Sequence, residues 1–185
     1  LSEMIFALDP SGENGLTQQQ IDQIIAFTVA VMNRVKIGNV TEDPDVRMGA
    51  LIDGAMKKRV EKQMREILVR KGSKILNGDG TLEERLNVLN LENAIKPIVY
   101  IDPNRAHGDD VEIFAPVFRI HVLEGGAEAA QARLHEIAFA LTGAVIAANT
   151  EEAVDFRNGA PSGVFYPSSD SYAPTTTAAP APQVP

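Results

Sequence analysis

The sequence contains neither cysteine nor tryptophan in its 185 residues. Without a thiol, the chain as it stands forms no disulfide or thiolate metal site and offers no cysteine nucleophile. It also lacks an apolar run of about 18 residues, the length that a membrane-spanning helix needs. The first six residues include Glu3, where a secretory signal would carry basic residues. These absences predict a soluble, cytoplasmic protein that does not associate with membranes.

Basic residues are also few, with 17 Lys and Arg against 25 Asp and Glu, and the formal net charge is −8. Binding to nucleic acid depends on clustered basic side chains that neutralise phosphates. The densest basic run, residues 57–65, is interleaved with Glu61 and followed by Glu66, a spacing typical of a salt-bridged helix face. Nucleic acid is therefore not an expected partner.

Short apolar runs alternate with amphipathic segments along the chain. Runs typical of strands cover residues 4–8, 74–76, 95–101, 114–123, 144–148 and 163–166. Pro97 indicates either a sheet edge or the start of its strand. Helical patterns cover residues 17–38, 53–70, about 127–141 and 151–157, and residues 81–91 fit either a short helix or an irregular insertion. The alternation predicts an α/β fold, with a layered, largely parallel sheet flanked by helices.

The composition changes near the end of the chain. From residue 167 onward the sequence is rich in Ser, Thr, Ala and Pro. Such a tract buries too little apolar surface to offset its ordering entropy. We therefore predict a folded segment over residues 1–166 and a disordered or extended tail over residues 167–185. An O-glycosylated stalk and an arm laid on a neighbouring subunit are the less favoured alternatives for this tail.

Common patterns for metal binding and nucleophilic catalysis are missing from the sequence. His107, His121 and His135 are each 14 residues apart, so no pair has the spacing that presents two nitrogens to one metal. Nucleophile elbows, dinucleotide fingerprints and phosphate-binding loops do not occur. The acidic groups at residues 43–45 and 109–112 have fewer ligands than a calcium loop, and loop solvation is their favoured role. We predict neither a metal site nor a catalytic residue in the chain.

One segment is distinctive: residues 112–117 read Glu-Ile-Phe-Ala-Pro-Val. It is accompanied, in order along the chain, by Val-Lys-Ile-Gly-Asn, Asp-Pro-Asp and Met-Gly-Ala-Leu-Ile within residues 35–52, Gly-Ser-Lys-Ile-Leu-Asn-Gly at 72–78, Lys-Pro-Ile-Val at 96–99 and Leu-Thr-Gly-Ala-Val at 141–145. In order and spacing these segments resemble the C-terminal catalytic-domain segment of the aldehyde dehydrogenase superfamily, across about residues 4 to 166. Ala50 makes the chain similar to the phenylacetate-degradation branch.

The resemblance implies a cofactor-binding role for Glu112 and Phe114. In the family motif the Glu holds the nicotinamide ribose hydroxyls, and the Phe packs against the nicotinamide. A carboxylate accepts hydrogen bonds from two hydroxyls, and an aromatic face positions a flat ring for hydride transfer. The implied reaction is the NAD- or NADP-dependent oxidation of an aldehyde to a carboxylate or thioester. Considered alone, Phe114 is better explained as a core aromatic residue.

Two departures from the family pattern bear on activity. Ala115 stands where the motif has Gly, a change that restricts backbone approach to the cofactor. In the family, the nucleophilic Cys and the dinucleotide-binding domain lie upstream of the strand that residues 4–8 match, and the chain contains neither. The resemblance therefore implies a segment that is inactive alone and takes NAD or NADP only when completed by the missing domain. Its expected partners are the missing upstream half or other subunits, in a homo- or hetero-oligomer.

Two other interpretations fit the sequence. A catalytically inactive derivative of the same fold, retained as an assembly or scaffold protein, is consistent with the acidic surface, the missing thiol and the low-complexity tail. An unrelated α/β binding domain with chance motif matches is the third interpretation. It predicts that residues 43–52 and 112–117 lie far apart in the fold and share no cleft.

Overall fold

The computed structural model describes residues 2–13, 15–103, 113–135, 140–147 and 162–169. These residues form both helices and strands. The chain divides into two units, Leu1–Ala130 and Gln131–Pro185. The first unit contains, in order, β1 (Ser2–Leu8), α1 (Gln18–Asn33), α2 (Gly54–Leu68), β2 (Lys74–Ile75), α3 (Leu82–Leu86), β3 (Ile98–Ile101) and β4 (Val117–Glu124). Helix α4 (Gly126–His135) crosses the division, and β5 (Ala140–Ala147) and β6 (Ser162–Ser169) belong to the second unit.

A four-stranded sheet organises the first unit, with the strand order β1-β4-β3-β2. Strand β4 pairs in parallel with β1, where Met4 is the partner of Ile120, and with β3, where Tyr100 is the partner of Arg119. Strand β2 pairs with β3 in the antiparallel direction. Parallel neighbours need a crossover connection, and α1 and α2 lie within the connection that follows β1. The predicted α/β fold with a largely parallel sheet is confirmed.

Helix α1 begins with a capping box formed by Thr17 and Gln20. The Thr17 hydroxyl accepts the backbone N–H of Gln20 at 3.4 Å, and the Gln20 side chain accepts the backbone N–H of Thr17 at 2.8 Å. The helix packs on a cluster that we call the α1 cluster, whose buried members are Phe6, Ile21, Val99 and Ile120. The predicted end at residue 38 is wrong, because α1 ends at Asn33. Beyond it the backbone bonds to a later loop, with the Gly38 N–H donating to the Met48 carbonyl at 3.0 Å.

Helix α2 is capped by Asp53, which accepts the backbone N–H of Met56 at 2.7 Å. Its buried face belongs to a second cluster, which we call the α2 cluster, with buried members Val60, Met64, Ile75, Leu82, Ile95, Ile98, Tyr100, Ile113 and Val117. Val99 belongs to the α1 cluster, whereas its neighbours on β3 belong to the α2 cluster. Alternate residues of a strand face opposite sides of the sheet, so the two clusters occupy its two faces.

In the connection between α2 and β4, the sequence left two questions open: whether residues 81–91 form a helix, and whether Pro97 marks a sheet edge or the start of a strand. Residues 82–86 form the short helix α3, capped by Thr81, so the helical alternative is correct for the start of this stretch. Pro97 directly precedes β3, and β3 lies between β4 and β2 in the sheet. Pro97 therefore marks the start of its strand rather than a sheet edge, since an interior strand needs its backbone donors for the ladder.

Several boundaries in the last third of the chain differ from the predictions. Strand β4 begins at Val117 rather than at residue 114. The helix predicted to reach about residue 141 is wrong at its end, because Ala140 and Leu141 lie in β5. Ala and Leu favour helices, but the parallel pairing of β5 with β6 overrides that local preference. The apolar run at residues 144–148 is typical of a buried strand, but Ala144 is exposed.

Strand β6 ends at Ser169, so it includes the first residues of the stretch predicted to form the tail. The helix predicted at residues 151–157, residues 170–185 and His107 lie outside the described residues. Within the described ranges, none of the helices is both long and apolar enough to cross a membrane.

Candidate functional site

Residues 113–117 lead directly into β4 and hold Phe114 at the surface. Ile113 is buried in the α2 cluster, and Ala115 packs against the same cluster. The Ala115 N–H donates to the Ile113 carbonyl at 2.8 Å, and the Pro116 carbonyl accepts the backbone N–H of Ile98 at 2.9 Å. The segment is therefore anchored to the core on both sides of Phe114, whose side chain remains 60% exposed.

This exposure excludes the explanation that Phe114 is a core aromatic residue. An exposed Phe presents an aromatic face on which a flat ligand can stack, and here its two neighbours anchor the backbone on either side. Ala115 fits its position without conflict, since it fills space against the α2 cluster. Glu112, the other predicted cofactor-binding residue, lies outside the described residues, together with Asp109 and Asp110.

The second motif region, residues 43–52, reaches the same hydrophobic cluster. Leu51 packs against the α2 cluster, as Ala115 does, and its backbone N–H donates to the Asn93 carbonyl at 3.1 Å. Ile52, the next residue, is 84% exposed. The structure thus brings the two motif regions onto one cluster, each with an exposed apolar residue beside an anchored one.

The acidic residues of this region are engaged with neighbouring groups. Asp43 forms an ion pair with Lys36, whose Nζ lies 2.5 Å from the carboxylate. Hydrogen bonds from Lys36 and from the backbone of Asp45 lower the pKa of Asp43. In the described ranges, no three side chains of the metal-binding types come together in a group that would hold a metal ion.

A charged cluster that the sequence did not predict lines a cleft of about 450 Å³. Glu84 lies between two cations: its carboxylate is 2.5 Å from Lys96 Nζ, and it forms an ion pair with Arg85. Burial alone would raise the pKa of Glu84, but the hydrogen bonds from Lys96 and Arg85 outweigh burial and lower it. Since these charges satisfy one another, the cluster stabilises the turn before β3 and offers no free acid or base.

A second polar group lies on the sheet face that carries the α2 cluster. Arg119 Nε donates to the Tyr100 hydroxyl at 3.0 Å, and both residues are buried. Directly after β3, the buried carboxylate of Asp102 is 2.8 Å from Arg70 Nη1 and accepts the Ser73 hydroxyl at 2.8 Å. The signal for these residues was the two-residue spacing of polar side chains in β3 and β4, which places them on one face.

His121 continues this polar row on β4 and is buried, as expected for a packing role. Its Nδ1 lies 3.7 Å from the carboxylate of Glu3, too far for a hydrogen bond. His135 is the last residue of α4.

Comparison with known proteins identifies related folds and sequences. A sequence model described as the aldehyde dehydrogenase family matches residues 13–176, which is most of the chain. Curated proteins show no sequence match to it. Among solved structures, betaine aldehyde dehydrogenase from Staphylococcus aureus in complex with NAD+ is 20% identical, with a TM-score of 0.69. The similarity covers 91% of this chain and 31% of that one.

Two further solved structures show the same pattern. Lactaldehyde dehydrogenase from Escherichia coli is 24% identical with a TM-score of 0.67, covering 83% of this chain and 31% of that one. HpcC from Thermus thermophilus is 21% identical with a TM-score of 0.70, covering 91% of this chain and 30% of that one. This chain therefore spans about 31% of the length of the solved relatives it matches.

Proposed function

The chain belongs to the aldehyde dehydrogenase family, and from this premise we propose that it is a segment of an NAD(P)-dependent aldehyde dehydrogenase that oxidises an aldehyde to a carboxylate or thioester. The observation that carries the proposal is the geometry of Phe114. Its ring is exposed while Ile113 and Ala115 anchor the backbone on either side. The proposed role of this ring is to pack against the nicotinamide, and that of Glu112 is to accept hydrogen bonds from the nicotinamide ribose.

The proposal includes the need for a partner region. Aldehyde oxidation in this family begins with attack by a thiolate on the aldehyde carbon, and this sequence has no cysteine. The segment is therefore inactive alone in this proposal. The nucleophile and the dinucleotide-binding region come from the part of the family fold that the chain does not span, on the same polypeptide or on another one. Ile52, exposed beside the same cluster as Phe114, is a second residue that such a region would cover.

The cofactor role of Phe114 is tested with reduced nicotinamide mononucleotide, which carries only the nicotinamide end of the cofactor. Saturation-transfer NMR detects weak contacts of this ligand with the native complex of the chain and the region that copurifies with it. We expect transfer to the nicotinamide protons from the unmodified chain and from Leu89→Ala. We expect it to disappear in Phe114→Ala. Leu89 is the matched control because it is an apolar residue with 83% exposure outside the motif.

The need for a partner region is tested by the intact mass of the native protein and of everything that copurifies with it. A copurified region that carries a reactive cysteine, with aldehyde-dependent reduction of NAD or NADP by the complex, is the expected result. A chain that occurs by itself as a 20.0 kDa species or its homo-oligomer, with no such activity, contradicts the enzyme proposal. Equal NMR transfer in Phe114→Ala and Leu89→Ala contradicts the nicotinamide role specifically.

A second candidate function is a non-catalytic assembly or scaffold protein derived from the same fold. One observation favours it: Phe27 and Val31 on the outer face of α1 are exposed, which is typical of a protein–protein contact. A native complex without dehydrogenase activity, whose assembly depends on this face, would favour this function over the first.

A further inference from the structure

Helix α1 carries apolar side chains on two faces. Its inner face contributes Ile21 to the α1 cluster. On the outer face, Phe27 is 71% exposed and Val31 is 40% exposed. Ala26 and Ala30 lie beside them and are also exposed. These four exposed residues, which we call the outer strip of α1, are not used by either hydrophobic cluster of the first unit.

Helix α2 shows how a water-facing helix of the same chain is built. Its exposed residues are mostly charged: Lys58, Arg59, Lys62, Arg65 and Glu66. Helix α1, by contrast, has a single charged residue, Asp22. Exposed apolar residues that cluster on one face, without charges among them, mark a surface that another molecule covers.

The outer face of α1 also has a symmetry that indicates which molecule covers it. Asp22, Ala26, Ala30 and Arg34 are spaced by four residues and therefore form one row along the helix. The row is acidic at one end and basic at the other, with two small residues between. If a second copy of the helix is placed by a twofold axis at the level of Thr28, the row of the second copy runs antiparallel to the first and pairs with it. Asp22 of one copy then meets Arg34 of the other, and Ala26 meets Ala30.

We propose that the outer strip of α1 is the contact between two antiparallel copies of this chain. An isologous interface requires a patch that is complementary to itself, and this row meets that requirement. The alanines allow the two helix axes to approach to about 8 Å. Phe27 and Val31, beside the alanines, lose their exposure in the contact. The proposal goes beyond the dehydrogenase function and does not depend on it.

Charge also favours this surface over others for self-association. Each copy has a net charge of −8, so two copies repel each other over most orientations. The outer strip contains no carboxylate. Asp22, at its margin, accepts a hydrogen bond from Gln18 Nε2 at 2.7 Å within its own helix. In the antiparallel arrangement each Asp22 also pairs with Arg34 of the other copy, so the dimer contains two such ion pairs.

Sedimentation of the full chain over a range of concentrations tests the proposal. We expect a reversible dimer for the unmodified chain. Phe27→Glu should give a monomer at every concentration, because it places a carboxylate from each copy inside an apolar contact. Leu89→Glu adds the same charge at an exposed apolar residue outside α1, and this control should remain a dimer. Circular dichroism confirms that both variants are folded.

A charge exchange then tests the antiparallel register. Asp22→Arg and Arg34→Asp should each weaken the dimer by roughly tenfold, because each creates like-charge contacts at both ends of the interface. The double variant should restore the affinity. Within one helix these residues lie roughly 18 Å apart, so a restoration reports a contact between copies.

Three results would overturn the proposal. The first is a chain that stays monomeric at all concentrations. The second is a dimer that Phe27→Glu leaves intact, and the third is a double charge exchange that does not restore affinity. Loss of a different copurified protein in Phe27→Glu, with the isolated chain monomeric, would assign the outer strip to that protein instead of a second copy.

Discussion

The side chain of Asn77 continues the pairing of β3 beyond the end of β2. Its Oδ1 accepts the backbone N–H of Val99 at 3.0 Å, and its Nδ2 donates to the Pro97 carbonyl at 2.8 Å. Both Asn77 and Val99 are buried, at 1% and 0% exposure. A side-chain amide thus stands in for the backbone of a neighbouring strand and satisfies polar groups that water does not reach.

Replacing Asn77 by Ala should lower the free energy of unfolding by roughly 1–3 kcal/mol, because the buried N–H of Val99 loses its acceptor. Urea unfolding followed by circular dichroism measures this change. Asn87→Ala is the matched control, since Asn87 is exposed, and it should change stability much less. Equal effects of the two substitutions would show that the Asn77 hydrogen bonds do not support β3.

Gly78→Ala should be more destabilising than Gly80→Ala. Both glycines have positive φ angles, 64° and 81°, so alanine at either position carries a backbone penalty of about 1–2 kcal/mol. At Gly78 the added methyl also overlaps the guanidinium of buried Arg85, whereas at Gly80 its closest contact is the Ile75 carbonyl oxygen at 3.7 Å. Thermal unfolding of both variants checks the order, and a larger loss for Gly80→Ala would contradict it.

Glu84→Gln should reduce stability at neutral pH by about 1–3 kcal/mol, because Lys96 and Arg85 lose a charged partner. The pKa of Glu84 is lowered in the folded state. Its contribution is therefore present above the unfolded pKa and is lost as pH falls through the folded pKa.

The difference in unfolding free energy between the unmodified chain and Glu84→Gln should accordingly shrink as the pH falls below about 4.5, the ordinary pKa of a glutamate. Denaturant unfolding at a series of pH values measures it. Glu66→Gln is the control, because Glu66 is exposed and its cation partner, Lys62, lies 3.9 Å away at the surface. A constant difference across the acidic range would rule out the ion pairs as the source of Glu84's effect.

Tyr100→Phe should flatten the loss of stability at alkaline pH. Burial raises the pKa of Tyr100, and Arg119 only partly offsets this. With a folded pKa above the unfolded one, the contribution of Tyr100 is complete below about pH 10 and is lost as the pH rises further. Chemical unfolding from neutral to strongly alkaline pH compares the two chains. The same slope in both would contradict the assignment.

At neutral pH the same substitution should destabilise the fold by about 1–2 kcal/mol, because the buried Nε of Arg119 loses its acceptor. Ultraviolet titration of the tyrosines provides a direct check, since Tyr100 should ionise at higher pH than an exposed tyrosine.

Features that depend on neighbouring residues were predictable from the sequence. The start of α1 is an example, because its cap is a contact between Thr17 and Gln20, which lie three residues apart. The apolar periodicity likewise predicted a helix in each of the stretches that form α1 and α2. The motif at residues 112–117 identified Phe114 as a candidate residue. Its exposure was not predictable from the sequence, because most phenylalanines are buried. It depends on the packing of Ile113 and Ala115 against the α2 cluster.

Features that depend on distant pairing were not predictable. Nothing local in residues 140–141 opposes a helix, and only the pairing of β5 with β6 makes them a strand. The role of Asn77 depends on its register with β3, and the role of Glu84 on the arrival of Lys96. The residues of the outer strip of α1 are apolar, so the sequence alone does not show that they are exposed. Their exposure follows from the packing of the opposite face of α1 on the α1 cluster.

The pairing of β1 with β4 has a consequence for biosynthesis. Met4 and Ile120 are register partners although 116 residues separate them. At about 5–20 residues per second, a ribosome needs many seconds to deliver β4 after β1 has emerged. During that interval β1 lacks the parallel partner that β4 provides. Formation of this sheet during synthesis is therefore limited by the arrival of β4, whatever the intrinsic folding rate of the helices.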